Sequence, residues 1–505
     1  MYTFLIGLVL LIVGGFFYGQ FCQKVFRPDD RRTPALTRTD GVDYLPMKSW
    51  KNSLIELLNI AGTGPILGPI QGILFGPIAF LTIPIGCVLG GAVHDFLCGM
   101  ISARCGGCQT QEMVGRFLGK ISKIFYTVFV CILLLLVGAV FIYTPGDILA
   151  EGILGTSTSA SNWVIWVIYG AIFLYYLAAT LFPIDKIIGK IYPVFGAVLL
   201  LSAVGVFIGL FTSGYSAALT EIWSPDAFTL YGGYFGSNHF LPIFFVTVAC
   251  GIVSGFHATQ ATLVSRTIQH ERQGRTVFYW MMIAEGVIAM IWAAAAMGAY
   301  STGVSSTSDG AQSVLIAIAR DLLGNVGGII AMVGVIVLPI TSGDTALRSM
   351  RLLLAETFGI DQVKKKNRLL LSAAIFAVVA GILVFAKLSA DGFQILWRYF
   401  SWANQVIAVF GFAYATVYLI LRHSRAFAMT LIPGMFYFFV VSSYILNASI
   451  GFRLSWTVSY IAAGVLTALY GFAVPFAGFR KRGRVAPEDP PVYEEPAPEA
   501  VQPVT

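Results

Sequence analysis

Gly62-Thr63-Gly64-Pro65-Ile66-Leu67-Gly68-Pro69 sits inside an apolar segment with no charged residue from Leu57 to Ala92. In hydrocarbon every backbone N–H and C=O needs a partner, so a stretch that must interrupt a helix is tolerated only where protein or a water-filled cavity surrounds it. The paired prolines favour a break over simple close packing of glycines. The stretch therefore marks a binding site within a membrane.

The rest of the chain has the composition this requires. Of 505 residues 57% are hydrophobic and only 11% charged, against about 25% charged in soluble domains. The chain reads as an all-α polytopic membrane protein, and spans of about 20 apolar residues number about thirteen. The first runs from Tyr2 to Phe21; later ones begin near Ser53, Gly76, Ile121, Trp163, Ile191, His239, Thr276, Val326, Leu369, Phe393, Ala426 and Ser455.

The net charge of +7 is not one basic patch, which argues against nucleic acid. Basic residues recur in alternate loops, as they do on the cytoplasmic side of membrane proteins. Lys24, Arg27, Arg31, Arg32, Arg38, Lys48 and Lys51 follow the first span, and later clusters fall at 104–123, 186–190, 266–275, 348–368, 422–425 and 480–484. The opposite loops hold almost only Arg320, Lys387 and Arg453. The expected topology has the N-terminus outside and the C-terminus inside a bacterial cytoplasmic membrane. Residues 306–323, polar then amphipathic, read as an outer-surface helix, and the Pro- and Glu-rich 486–505 as an unfolded tail.

A second interruption, Ala249-Cys250-Gly251-Ile252-Val253-Ser254-Gly255-Phe256-His257, falls in the seventh span. Five spans separate it from the first, so the two broken helices are expected to run in opposite directions, the sequence pointer to an inverted-repeat transporter with a midplane site. Helix ends there offer N–H groups to anions and carbonyls to cations.

The runs IAGTGPILGPIQG, GGAVHDF, FVTVACGIVSGFHA, LPITSGDTALRSMR and WANQVIAVFGF resemble the signature segments of the carbon starvation protein A (CstA) family, in the family's order from Ile60 to Phe412. The resemblance implies a secondary transporter of peptides or pyruvate with a LeuT-like core of two inverted five-helix repeats. On this chain the repeats would be residues 53–213 and 239–421, with an extra N-terminal helix at 1–22, a basic segment at 23–52, two further helices at 426–478 and a tail at 479–505.

Candidate substrate-binding residues are Gly62, Thr63, Gly64, Pro65 and Gly68 at the first break, Ser254, Gly255, His257 and Gln260 at the second, and Asn404 and Gln405 in the eleventh span. For the last two, bridging between helices is the competing role. Ion coupling falls to ionisable or oxygen-bearing groups within spans: Asp95, Glu285, Thr341, Ser342, Asp344 and Thr345. Asp95 has the alternative of pairing with Arg104 or Arg348. Glu285 has no basic neighbour in sequence and is the preferred proton carrier. Thr341, Asp344 and Thr345 share one helical face that can offer oxygens to sodium beside Ala61 and Gly64, with an Asp344–Arg348 bridge as the alternative.

No resident cofactor is expected, only H⁺ or Na⁺ as coupling ion. Cys105 and Cys108 form a lone CxxC without the second ligand pair a zinc site needs. Other classes fit less well. Ser254 lacks the Gly-x-Ser-x-Gly context of a nucleophile, and there is no GxxxxGK[ST] loop for a nucleotide-driven pump. A channel remains open by composition, and it differs in predicting flux without coupling. Short peptides and pyruvate both stand as substrates, and oligomeric state is unread.

Overall fold

A computed structural model describes residues 1–40, 43–181, 185–361 and 364–493. Among these the architecture is helical: α1 (Tyr2–Phe26), α2 (Ser49–Ile60), α3 (Gly64–Gly72), α4 (Ala79–Arg104), α5 (Lys120–Ile153), α6 (Trp163–Leu181), α7 (Asp185–Thr212), α8 (Phe240–Thr247), α9 (Gly255–Val264), α10 (Glu271–Thr302), α11 (Ala311–Phe358), α12 (Lys365–Leu388), α13 (Gly392–Leu421), α14 (Ala428–Asn447) and α15 (Trp456–Lys481). The expected basic positions Lys186 and Lys190 lie outside the described side chains.

Ten of these helices are long and apolar enough to cross a membrane, or eleven if α2 with the helix from Gly64 to Phe75, bent by 48°, is one span. The about thirteen expected from sequence differ at identifiable places. The seventh expected span is two helices of 8 and 10 residues, each too short to cross alone. The fifth expected span corresponds to α6, described as far as Leu181.

Both interruptions exist as breaks in the chain. The first is narrower than the Gly62 to Gly68 expected. The helix ends at Ile60 and restarts at Gly64, because Pro65 occupies the first turn, where no N–H is required and the ring's φ suits a helix start. Pro69 lies inside α3. The second break covers residues 248–254 and turns on Gly251, whose φ of 88° is left-handed.

The two broken helices pack on one another. Gly64 faces Cys250, Gly68 faces Thr247 and Val248, and Gly72 faces Val248 and Phe244. Beyond the breaks the Thr267 hydroxyl donates to Asn52 Oδ1 at 2.8 Å. Rising numbers against falling numbers make the pair antiparallel. The glycines are required there: a Cβ on Gly64 would overlap Cys250, and one on Gly255 would overlap the backbone of Asn404 and Ala408.

α11 is bent at Gly324 (φ 66°), so 311–323 forms a separate first arm whose Val314, Leu315 and Ile318 are buried. Its polar start reaches α5, with the Ser313 hydroxyl donating to Glu151 at 3.0 Å. The chain past α15 is more structured than expected. Glu488 lies 3.0 Å from Arg31 and 2.7 Å from Arg422, Asp489 lies 2.9 Å from Arg116, and the Asp489 N–H donates to the Arg104 carbonyl at 2.9 Å. Acidic side chains thus strap 486–493 to basic loops; 494–505 lie outside the described residues.

Candidate functional site

The breaks put three elements into contact at one buried point. Asp95 comes from α4, His257 from the first turn of α9, and Glu285 from the middle of α10; all are buried. His257 Nδ1 is 3.0 Å from Asp95 Oδ2, and His94 Nδ1 is 2.9 Å from Asp95 Oδ1. The other side of the His257 ring faces Glu285, with Nε2 3.6 Å from Oε2. His94, Asp95, His257 and Glu285 therefore form one continuous chain of titratable side chains.

Two expectations change. Asp95 does not take Arg104 as partner; it is held by two imidazoles. Arg104 instead makes a bidentate pair with Glu271, Nε and Nη2 each 2.8 Å from the carboxylate. Glu285, isolated in sequence, has His257 beside it in space.

The chain has atoms with unused bonding capacity. His257 Nε2 and both Glu285 oxygens are buried without a hydrogen-bond partner, as are both oxygens of Glu56 on α2. Glu56 was not among the candidates read from sequence, yet it is fully buried within electrostatic reach of Asp95 and His257. Its signal was present: it is the acidic residue immediately before the charge-free run that begins at Leu57.

At the first break Thr63 is buried and its hydroxyl has no partner. Gly62, Gly64, Pro65 and Gly68 serve the seam described above. At the second, the Ser254 hydroxyl donates to Asn404 Oδ1 at 2.9 Å, and the same oxygen accepts the Phe256 N–H at 3.2 Å. Asn404 thus caps α9, and Gln405 donates to the Phe245 carbonyl; both amides tie α13 to the second broken helix. Gln260 lies in the wall of a cavity of about 60 Å³ lined by polar residues such as Gln109, Thr110 and Thr259 and by apolar ones such as Val130, Leu134 and Phe256.

The oxygen-bearing face belongs to α11, which packs against both α2 and α3. Asp344 accepts from Tyr175 at 2.9 Å and from Thr345 at 3.0 Å, while the Thr341 hydroxyl donates to the Leu338 carbonyl at 2.9 Å. Ser342 is buried nearby on the same helix.

Ion pairs close the bundle at two levels. Arg104, besides Glu271, donates to the Arg27 carbonyl at 2.8 Å and lies 3.2 Å from Glu488 and 4.1 Å above the Phe26 ring. Beside it the Arg31 guanidinium holds the Asp29 carboxyl below its ordinary range. At the other level Lys387 Nζ is 2.9 Å from both Asp147 oxygens and 4.5 Å from the Tyr143 ring, and Tyr169 donates to Asp147. In sequence Lys387 stands out only as one of the few basic residues of the outer loops. In the Cys105–Cys108 pair, a hydrogen bond to Cys105 and burial push the Cys108 thiol up.

Comparison with known proteins gives one family match and several relatives. The family model for carbon starvation protein CstA matches residues 1–223, 172–304 and 292–443. An uncharacterized membrane protein of Haemophilus influenzae is 42% identical over 59% of this chain and 91% of that protein. A protein of Campylobacter jejuni named peptide transporter CstA is 27% identical over 58% of this chain and 49% of its own length. A protein of Escherichia coli named pyruvate/proton symporter BtsT is 24% identical over 56% of this chain and 47% of its own. The chain thus spans about half the length of these two named transporters.

Proposed function

We propose a function for this chain from one premise: it belongs to the carbon starvation protein CstA family. It is a membrane transporter that takes up short peptides, coupled to protons, by alternating access of two inverted five-helix repeats around the paired breaks. The observation that carries the reading is the buried chain His94–Asp95–His257–Glu285 at the meeting of the breaks.

A proton entering this chain has a place to go at each step. A Glu285 oxygen without another partner takes it, His257 Nε2 lies within reach, and Asp95 holds the opposite ring nitrogen. Carriage by a buried carboxyl removes a charge that is costly in a dry interior. The neighbouring Thr63 hydroxyl, buried without a partner, suits a substrate carboxylate at the start of α3. Peptides and pyruvate share that group, and the name of the Escherichia coli relative supports pyruvate as the second substrate reading. A sodium site at Thr341, Ser342, Asp344 and Thr345 is the second coupling reading, favoured by the convergence of hydroxyls on Asp344.

An enzymatic reading fares worse. The Ser254 hydroxyl points to Asn404 and His257 to Asp95, so serine and histidine do not form a nucleophile–base pair. The basic loops orient the chain with its N-terminus outside and its C-terminus in the cytoplasm.

The test is counterflow and gradient-driven uptake in proteoliposomes with dipeptides, pyruvate and amino acids, varying pH and sodium separately. One proton per solute gives about tenfold accumulation of a neutral dipeptide per pH unit. Glu285→Gln is expected to keep counterflow and lose acid-driven accumulation. Undiminished accumulation in Glu285→Gln would remove the proton reading, and loss on replacing sodium with choline would move coupling to Asp344.

A further inference from the structure

We propose that Cys250, His257 and Glu285 form a binding site for a divalent ion of the zinc class. One ligand atom from each lies within 4.8 Å of the other two. The His257 Nε2 and both Glu285 oxygens are fully buried and lack hydrogen-bond partners, so the cluster has free donors facing a common point.

The tautomer fits. His257 Nδ1 is spoken for by Asp95 at 3.0 Å, and Asp95 is in turn held by His94 at 2.9 Å. When Nδ1 carries the proton, Nε2 presents its lone pair toward Cys250 and Glu285. A carboxylate behind a ligating imidazole is the arrangement that fixes ring orientation and raises ligand basicity in zinc sites.

The donor set selects the ion class. One sulfur, one nitrogen and one oxygen suit a borderline-soft ion; calcium and magnesium prefer oxygen alone. Three protein ligands leave a fourth position open in a tetrahedral ion. Binding replaces the thiol proton, which leaves to water as the metal–sulfur bond forms. A 2+ ion also compensates the two ligand anions, which would otherwise be costly to bury.

The position gives the site a consequence. Cys250 precedes Gly251 at the turning point of the second break, and Glu285 stands on α10. A bound ion ties the break to α10 and occupies the atoms through which the proton would pass. Zinc is therefore an inhibitor of uptake, an effect that rests on the transport reading; the binding itself does not.

The test uses the purified full chain in detergent, stripped of metal by chelator and titrated with Zn²⁺ against a chromophoric chelator, and separately with Co²⁺. The expected result is one equivalent per chain and a thiolate-to-cobalt charge-transfer band. Cys250→Ser should abolish the band and weaken binding at least tenfold, and Asp95→Asn should weaken it about 10–100-fold. The double variant Cys105→Ser, Cys108→Ser should bind as the parent does. A Zn²⁺-induced rise in melting temperature for the parent and the double variant, with none for Cys250→Ser that itself melts normally, supports the site. If Cys250→Ser misfolds, Glu285→Gln in its place should lower affinity while keeping the cobalt–thiolate band. No stoichiometric binding, binding that follows Cys105 and Cys108, or a cobalt complex without thiolate character overturns the proposal. Stoichiometric binding at Cys250 in a protein that transports nothing would uphold the site and remove the transport reading alone.

Discussion

Replacing Arg104 with alanine tests the buried network that joins the ends of α1, α4 and α10 to the C-terminal strap. The Arg104 and Glu271 side chains are 0% and 1% exposed and pair through two 2.8 Å bonds. Removing one partner of such a pair costs about 3–5 kcal/mol, because the other charge stays buried. The lower end applies here, since Glu271 keeps the Asp29 N–H at 2.9 Å and Arg31 at 3.6 Å. Loss of the guanidinium 4.1 Å above Phe26 adds about 1 kcal/mol. The expected loss is about 4 kcal/mol, roughly a thousandfold in the folded-to-unfolded ratio. Glu271→Gln should cost less, about 1–2 kcal/mol, because Arg104 retains Glu488 at 3.2 Å and the Arg27 carbonyl at 2.8 Å. Reversible denaturant unfolding of the detergent-solubilised chain reads both values. A loss below 1 kcal/mol for Arg104→Ala, or a larger one for Glu271→Gln, refutes the reasoning.

Further expectations concern other parts of the chain. Asp147→Asn strands the buried Lys387 ammonium and should lower stability by about 3 kcal/mol, while the double replacement Asp147→Leu, Lys387→Met should recover most of it, read by the same unfolding assay. Gly64→Ala places a Cβ inside contact distance of Cys250 and should cost about 1–3 kcal/mol, partly restored by Cys250→Gly in the same chain, as melting temperatures would show. Burial alone would raise the Glu221 carboxyl, but the Met1 ammonium, the Thr3 hydroxyl and the N–H groups of Thr3 and Tyr2 bring it down to about 2. A depressed carboxyl stabilises above its unfolded value of about 4.3 and loses that contribution as pH falls towards 2. Hydrogen exchange at Tyr2 and Thr3 should therefore rise between these values in the parent and be high at every pH in Glu221→Gln.

The class of the fold was legible because helix length and apolar content are local properties, and both breaks announced themselves through glycine and proline. The width of the first break was not, because Pro65 terminates a helix or begins one depending on which side of it the chain is helical. Asp95, His257 and Glu285 were each singled out separately, on the cost of burying ionisable groups. Their union was invisible, since residues 162 and 28 positions apart meet only through packing. Glu56 escaped by lying one residue outside an apolar run, and the Asp147–Lys387 pair because partners 240 positions apart share no motif. The strap at 486–493 was misread from composition: proline and glutamate disfavour a core, but glutamate still finds arginine on another segment.

The glycine seam constrains how such a molecule changes shape. Along Gly64, Gly68 and Gly72 α3 presents bare main chain, against which the Cys250 and Val248 side chains and the Thr247 carbonyl pack closely. Side chains seated in so narrow a groove cannot slide along it without leaving it. In the proposed transport cycle the two interrupted rods would swing as one body. The faces that part in that cycle would then lie along the body's flanks, and the buried ion pairs Arg104–Glu271 and Lys387–Asp147 are the links such a movement would load.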